Sequence, residues 1–472
     1  MKARRPAADL KVCTSLAATT CALVIFGAAG AGAQDTPASP AIPSLSLAQP
    51  DAATGAPLVV TLTDALQRAK QNEAQFLAAA AEAALAHEDV VQARAAQLPA
   101  FSNSTQYIGN QASPALLTGR FVSMDGVNMY REWLAAHQEL SPSTLMGTQV
   151  RRAAASEAAA KARLEIAQRG LAVTVTRNYY AFISAQRKYA TAQQASQQAQ
   201  RFFDIAQQQE RLGQVARSDV VKAELSYRQQ RQAFDEATLG MDNARLALAV
   251  LLFPAFNENF SVVDDMQSAP ALPPFSDVRS MAEHDNPDLR AAGELLRAAG
   301  ADVALARNAF FPNLVVDAVY GIEANEFALH SRVDAQPELG VLPNLGYAIT
   351  VNLTVPLWDW GSARSKLHQS RTRERQAQVT LSQTQRQLVS NLYSMYNEAL
   401  TSRAAVDNLR RAAELASESL RLTTLRYQAG ESTALEMVDA QNTLVQSRNG
   451  ADDAEARYRV AIAQLQTLTG TF

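Results

Sequence analysis

The sequence predicts a mainly α-helical chain built as two copies of one unit, each adding a pair of membrane-crossing strands to long antiparallel helices. Three observations carry that prediction. From Leu345 to Gly361 the chain reads L-G-Y-A-I-T-V-N-L-T-V-P-L-W-D-W-G, with Tyr347, Ile349, Val351, Leu353 and Val355 large and apolar and the residues between them small or polar. That alternation is a strand with one apolar face. Most of the remaining chain consists of long stretches rich in Ala, Gln, Glu and Arg, all good helix formers apart from their interruptions. Finally, Arg94 and Pro99 recur 213 positions later as Arg307 and Pro312, and Pro142 and Gly147 recur 214 later as Pro356 and Gly361. Tyr180 and Arg187 return as Tyr396 and Arg403, and Gly213 and Ala223 as Gly430 and Ala440, in the same order and with little drift.

The elements follow in order. Residues 1–33 read as a secretory signal peptide: Lys2, Arg4, Arg5 and Lys11, a short apolar run through Leu23 to Phe26, then Ala31-Gly32-Ala33 as a cleavage site. Cys13 and Cys21, the only cysteines in the 472 residues, lie in this segment, so no disulfide or thiolate metal site is expected after it. Losing the segment takes the formal charge from −3 to −6, and no basic patch suggests nucleic acid. Residues 34–61 are an extended segment. The first copy spans 62–252, with a helix over Leu62–Gln97, strands over Phe101–Asn110 and Tyr130–Leu140, and a helix from Thr144 to Arg211 on the order of 100 Å long. Gly213 breaks that helix, Ser218 and Asp219 suit a helix start, and the returning helix reaches Leu252.

A proline-rich segment, 253–275, joins the copies and is expected to lie outside the helices. The second copy, 276–472, repeats the pattern: a helix to Asn308, a strand with Leu314, Val316, Ala318 and Tyr320 on one face, and a long loop over Glu323–Asn344. The strand from Leu345 follows, then a proline-free helix over Ser362–Tyr427, a break at Gly430 and a last helix to Leu468. No apolar run is long enough for a membrane helix, so a spanning role falls to strands, and four strands cannot seal a barrel alone. The chains must pool their strands. The residues of the Leu345 strand that would face outer membrane lipid are Tyr347, Ile349, Val351 and Leu353, with Trp358 and Trp360 at the interface.

With these residues in view, the chain resembles the TolC family of outer membrane factors. The duplicated unit, the strand ending V-P-L-W-D-W-G, and R-Y-Q-A-G-E-S-T-A-L-E-M-V-D-A-Q over Arg426–Gln441 carry the resemblance, with Arg211–Glu224 as a weaker partner. It implies a homotrimer with a shared barrel of twelve strands and a trans-periplasmic tunnel of helices. Such a duct serves a tripartite efflux pump or a type I secretion system. Its expected partners are a periplasmic adaptor (membrane fusion protein), docking near the turns at Gly213 and Gly430, and an inner membrane transporter. By the same resemblance Glu436 and Asp439 form an acidic constriction at the periplasmic tip, and Asp219 and Tyr427 tie neighbouring hairpins together. Spacing alone places Glu436 and Asp439 on one helix face. The family's best known member has an Arg where this chain has Ser432, and Arg217 is a candidate to supply that cation.

No nucleotide-binding, zinc-protease or nucleophile-elbow motif occurs, and the five histidines are scattered. The sequence therefore predicts no enzyme, cofactor or metal site. A periplasmic adaptor and a structural coiled-coil protein are the alternatives; neither accounts for duplicated spanning strands.

Overall fold

The computed structural model describes residues 57–109, 128–254, 259–268, 270–324, 326–336 and 340–470. The predicted signal peptide, most of the 34–61 segment and most of the stretch between the first two predicted strands lie outside the described residues. β1 (Leu58–Val60) leads into α1 (Leu62–Asn72) and α2 (Ala74–Ala95). The single helix expected here is broken at Glu73. Its backbone is extended, and its carboxylate accepts from the Phe76 amide and so starts a new helix (2.9 Å). The chain then crosses in β2 (Ala100–Gly109) and β3 (Asn128–Leu140), makes the short α3 (Pro142–Leu145), and descends through the 64-residue α4 (Thr148–Arg211) to return in α5 (Arg217–Leu252).

β4 (Phe260–Val262) begins the connection to the second copy, in which α6 (Phe275–Asp285) and α7 (Pro287–Asn308) are again separate helices. Asn286 caps α7 through the Leu289 amide (3.0 Å), and Pro287 at the first helical position cannot continue α6. β5 (Asn313–Ala324) follows. The expected loop over Glu323–Asn344 contains a further hairpin, β6 (His330–Gln336) and β7 (Gly340–Pro343), joined antiparallel. β8 (Leu345–Thr354), the 67-residue α8 (Ser362–Gln428) and α9 (Ala434–Thr469) complete the chain.

β2, β3, β5 and β8 form one antiparallel sheet in that order, leaving β2 and β8 as its edges. Register sorts its two faces. One carries the rows Phe101–Ala136–Ala318–Ile349, Asn103–Leu134–Tyr320–Tyr347 and Leu140–Leu314–Leu353. The other carries Ala100–His137–Asp317–Thr350, Ser102–Ala135–Val319–Ala348 and Gln106–Arg131–Glu323. On this polar face Arg131 pairs with Glu323 (2.8 Å) and His137 with Asp317 (2.6 Å). Tyr347, Ile349, Val351 and Leu353 all lie on the apolar face, exposed by 59 to 79%. At its far end Glu132 is held by Asn103 and Thr105 beside the Tyr107–Tyr130 ring pair. Gly321 has no room for a side chain, because a Cβ there would fall 1.8 Å from the Glu132 carbonyl oxygen.

Beside the sheet the helices lie in the order α2, α4, α7, α8; beyond the equator the order becomes α5, α4, α9, α8. In both halves the outer helices are left with open flanks. The largest core is equatorial. Tyr179, Tyr180, Phe182 and Ile183 of α4 meet Leu248 and Leu252 of α5, with Val60, Phe260 and Met266 closing over them. The proline-rich connection was expected outside the helices, but its first part is built into this core: Phe260 is buried in β4, which pairs parallel with β1, and Met266 is buried in the short 3-10 turn that follows.

Ion pairs fasten the same connection to both hairpins. Arg187 grips Asp264 through Nε and Nη2 (2.7 and 2.8 Å) and reaches Asp452 and Glu455 of α9 through Nη1 (3.0 and 2.9 Å). Arg410 of α8 holds the other oxygen of Glu455 (2.7 Å). Arg187→Ala strands carboxylates at partly buried positions and is expected to cost about 2 to 3 kcal/mol, with Arg187→Lys intermediate because a compact ammonium keeps the charge but loses the planar fork that grips Asp264 with two nitrogens. Chemical denaturation in detergent checks both.

Burial, followed by the charge of Asp265, pushes the Tyr179 hydroxyl up to about 12, and the proton is also the one donated to the Val263 carbonyl (2.8 Å). The folded chain thus favours neutral Tyr179 more than the unfolded chain does, where the group titrates near about 10. Its contribution is complete below that pH and is lost as pH rises through about 12. Melting temperature should therefore fall steeply across this alkaline window, and Tyr179→Phe should flatten part of the fall.

Candidate site at the helical tip

The far end of the molecule is two helical turns packed side by side. Both turn on a glycine with left-handed backbone, Gly213 at φ +72° and Gly430 at φ +78°, a conformation that a Cβ makes costly. The Gln214 amide closes the first turn onto the Gln209 carbonyl (2.9 Å), and the Glu431 amide closes the second onto Arg426 (2.8 Å). The repetition of these glycines in the sequence is thus a repetition of one turn geometry. A shared apolar cluster under the turns, with Phe202, Ala206, Val220, Ala223, Leu420, Ala434 and Met437, joins all four helices.

Tyr427 sits between the hairpins. Its ring meets Phe202 edge-on (centroids 5.1 Å apart) and its hydroxyl donates to Gln209 Oε1 (3.2 Å), so it links the second hairpin to the first within one chain. Burial, then the charge of Asp219, holds its hydroxyl above the ordinary tyrosine range. Asp219 is half-buried beside it and lies 3.8 Å from Lys222. The expected helix start at Ser218 and Asp219 is corrected: Ala216 occupies the cap, and the Asp219 amide bonds to its carbonyl (3.0 Å).

Glu436 and Asp439 are both exposed in the first turns of α9. Glu436 is held by Ser432, singled out in the sequence, and by two neighbours that were not, Thr433 and Arg426. Thr433 caps α9 by accepting from the Glu436 amide (3.3 Å), Ser432 Oγ donates to Glu436 Oε2 (2.8 Å), and Arg426 Nη1 stands 3.7 Å from the same oxygen. Ser432 is therefore a partner of the acid. Within the single chain Arg217 is 79% exposed and pairs with Glu210 of its own hairpin at 3.3 Å. The cation near the acid is Arg426. Thr433-x-x-Glu436 has the spacing of a helix-start signature and was the legible sign of this arrangement.

No described helix is long and apolar enough to cross a membrane. The features available for chemistry are thus an apolar sheet face at one end and, at the other, a tip bearing exposed carboxylates.

The profile of the outer membrane efflux protein family matches residues 65–252 and 278–471, one stretch for each copy of the repeat. The chain is 26% identical to outer membrane protein TolC of Vibrio cholerae over 425 residues, covering 87% of this chain and 90% of that one. It is 25% identical to outer membrane protein OprJ of Pseudomonas aeruginosa, over 66% of this chain and 62% of that one. Among solved structures, the Campylobacter jejuni CmeC outer membrane channel superposes with a TM-score of 0.71 at 18% identity, covering 87% of this chain and 85% of that one. The open state of the Neisseria gonorrhoeae MtrE outer membrane channel gives 0.70 at 21% identity, covering 87% and 88%. The fold is that of these channels: mainly helical, internally duplicated, with four strands of each chain in one sheet. The chain belongs to the outer membrane efflux protein family, whose members are channels of the outer membrane and not enzymes.

Proposed function

We propose that three copies of this chain close a single twelve-stranded barrel in the outer membrane and continue it as a helical duct across the periplasm. The duct is the passive exit of a tripartite efflux pump or type I secretion system. The observation that carries this reading is a four-stranded sheet with an exposed apolar face and both edges unpaired. The flanks support it. β2, α2 and α5 border one side of the chain and β8 and α8 the other, so contact between two copies joins unlike surfaces and generates a ring. Charges on these flanks are complementary. Glu82, Glu88 and Asp89 of α2 are exposed, and Arg371, Arg373 and Arg375 of α8 are exposed at a similar distance from the sheet. None of the six has an ion-pair partner among the described residues of its own chain; Glu82 with Asp89, and Arg371 with Arg375, share a helix face and are the pairs able to meet across a subunit boundary.

In this reading the tip is the gate. Glu436 and Asp439 of three chains face one axis and favour cations over anions. Tyr427 and Asp219 set how the hairpins rest on one another. A periplasmic adaptor engages the turns at Gly213 and Gly430, and an inner membrane transporter supplies the energy, since the chain carries no nucleotide-binding motif.

Single-channel recording in planar bilayers tests the reading. The wild type should conduct and prefer cations, and Glu436→Gln with Asp439→Asn should reduce that preference severalfold with the channel intact; a protein that never conducts refutes the duct. Thr433→Ala removes the cap of α9 at a cost of about 1 kcal/mol. Limited proteolysis at the second turn should then accelerate roughly five-fold, because cleavage follows the population of the open turn, while the barrel stays resistant.

A further inference from the structure

Where the sheet meets the helices, the chain has a second set of features that the duct reading does not use. The end of α2, the end of α7 and the starts of α3 and α4 lie at one level. Gln97 Nε2 donates to the Thr144 carbonyl (3.2 Å), Gln138 Nε2 to the Gln97 carbonyl (3.3 Å), and Asn308 approaches Thr148 (3.5 Å). At this level a cavity of about 290 Å³ lies between the end of α7 and the start of α8, lined by Phe310, Pro356, Leu357, Trp358 and Arg364.

Its rim is apolar and exposed. Leu357, Trp358 and Trp360 are 77 to 90% exposed, and the two indoles meet edge-on at 5.8 Å. Trp360 holds a left-handed backbone (φ 55°), which a bulky residue adopts only when its surroundings enforce it. Asp359 enforces it by accepting from the Gly361 and Ala363 amides (3.0 and 2.5 Å). The strained turn thus displays a large aromatic pair at the edge of the apolar sheet face, which suits the boundary between hydrocarbon and headgroups.

Immediately beyond the rim cations predominate, with Glu139 at the end of β3 the exposed carboxylate on the sheet side. Arg94 and Arg307 end α2 and α7, where the helix dipole favours cations. Arg364 and Lys366 begin α8, where the dipole opposes them, and no acid stands in that first turn. All four are exposed and without an ion pair among the described residues. On the α2 flank the exposed acid nearest the sheet, Asp89, lies about one helical turn further from it than Arg364. Asp359 accepts two backbone amides at the start of α8 and forms no ion pair with these cations.

We propose that Arg94, Arg307, Arg364 and Lys366 form a cationic collar just beyond the aromatic rim, which binds the phosphate headgroups of anionic phospholipid in the periplasm-facing leaflet. The proposal rests on the membrane reading of the apolar sheet face. The collar fixes the depth and rotation of the barrel in the bilayer: the rim sits in the interface, acyl chains cover the sheet, and headgroup phosphates reach the guanidinium groups. Arg364 serves one headgroup at the mouth of the cavity, with Trp358 and Phe310 against its glycerol and upper chain.

Tryptophan quenching by brominated lipid tests it. The full-length Trp133→Phe protein, in which emission comes from Trp358 and Trp360, is reconstituted with brominated phosphatidylglycerol or brominated phosphatidylcholine. Phosphatidylglycerol should be preferred by roughly five-fold or more at low salt, the equivalent of the ~1 kcal/mol that one basic residue contributes at an anionic surface. The preference should shrink as salt shortens the screening length. Replacing all four cations by Gln should bring it close to unity while quenching by phosphatidylcholine is unchanged. Equal quenching by both lipids in the unsubstituted collar, or a preference that survives the four replacements, overturns the collar and leaves the duct standing. No quenching by either lipid overturns the membrane reading and the collar with it.

Discussion

A backbone amide in hydrocarbon must have a partner, and this constraint organises the molecule. Each unpaired N–H or C=O costs several kcal/mol in lipid, so a sheet with two open edges and an apolar face is not a finished structure. β2 and β8 are such edges. The helices repeat the condition in a milder form, since α8 on one side and α2 with α5 on the other are left with exposed Leu and Val side chains, among them Leu77, Leu85, Val221, Leu225, Val379 and Leu400. One assembly step satisfies all of these surfaces, because the two flanks of the chain are unlike and run its whole length.

The rest of the architecture holds those flanks straight over a great distance. Helices of 64 and 67 residues have little individual burial, and many of their inward positions are alanine: Ala155, Ala159, Ala162, Ala195, Ala199 and Ala206 in α4 alone. Small residues bring helix axes close but contribute little apolar area each. Specific anchoring is therefore concentrated at the equator and at the tip. At the equator aromatic residues, Arg187 and the β4 segment bind the two hairpins to each other. At the tip a compact apolar cluster and Tyr427 do the same. The span between these two anchors is held more lightly, by the Tyr189–Phe234 ring pair and the Arg448–Gln194 and Gln230–Asn442 hydrogen bonds.

How much of this was legible varied with how strongly one environment dictates residue type. β8 was plain because one face is apolar throughout, from Tyr347 to Leu353. β2 was obscure because Ser102, Asn103, Ser104, Thr105 and Gln106 alternate only weakly, and it was found through its repeat partner. The helix breaks at Glu73 and Asn286 were missed. Neither interrupts the helical composition, and in each case a side chain caps the next helix; Pro287 was the overlooked sign. The β6–β7 hairpin hid behind Pro337, Gly340 and Pro343, which read as loop. At the tip the glycines were legible because only backbone geometry is at stake. The grip of Ser432 and Arg426 on Glu436 was not, because it depends on how the turn folds back.

Amide hydrogen exchange in the sheet of the detergent-solubilised protein tests the central claim most directly. If identical chains complete each other's edges, amides of β2 and β8 are protected as strongly as those of the interior strands β3 and β5. Edge amides that exchange freely while β3 and β5 remain protected would mean that the sheet stands alone, and would contradict the account.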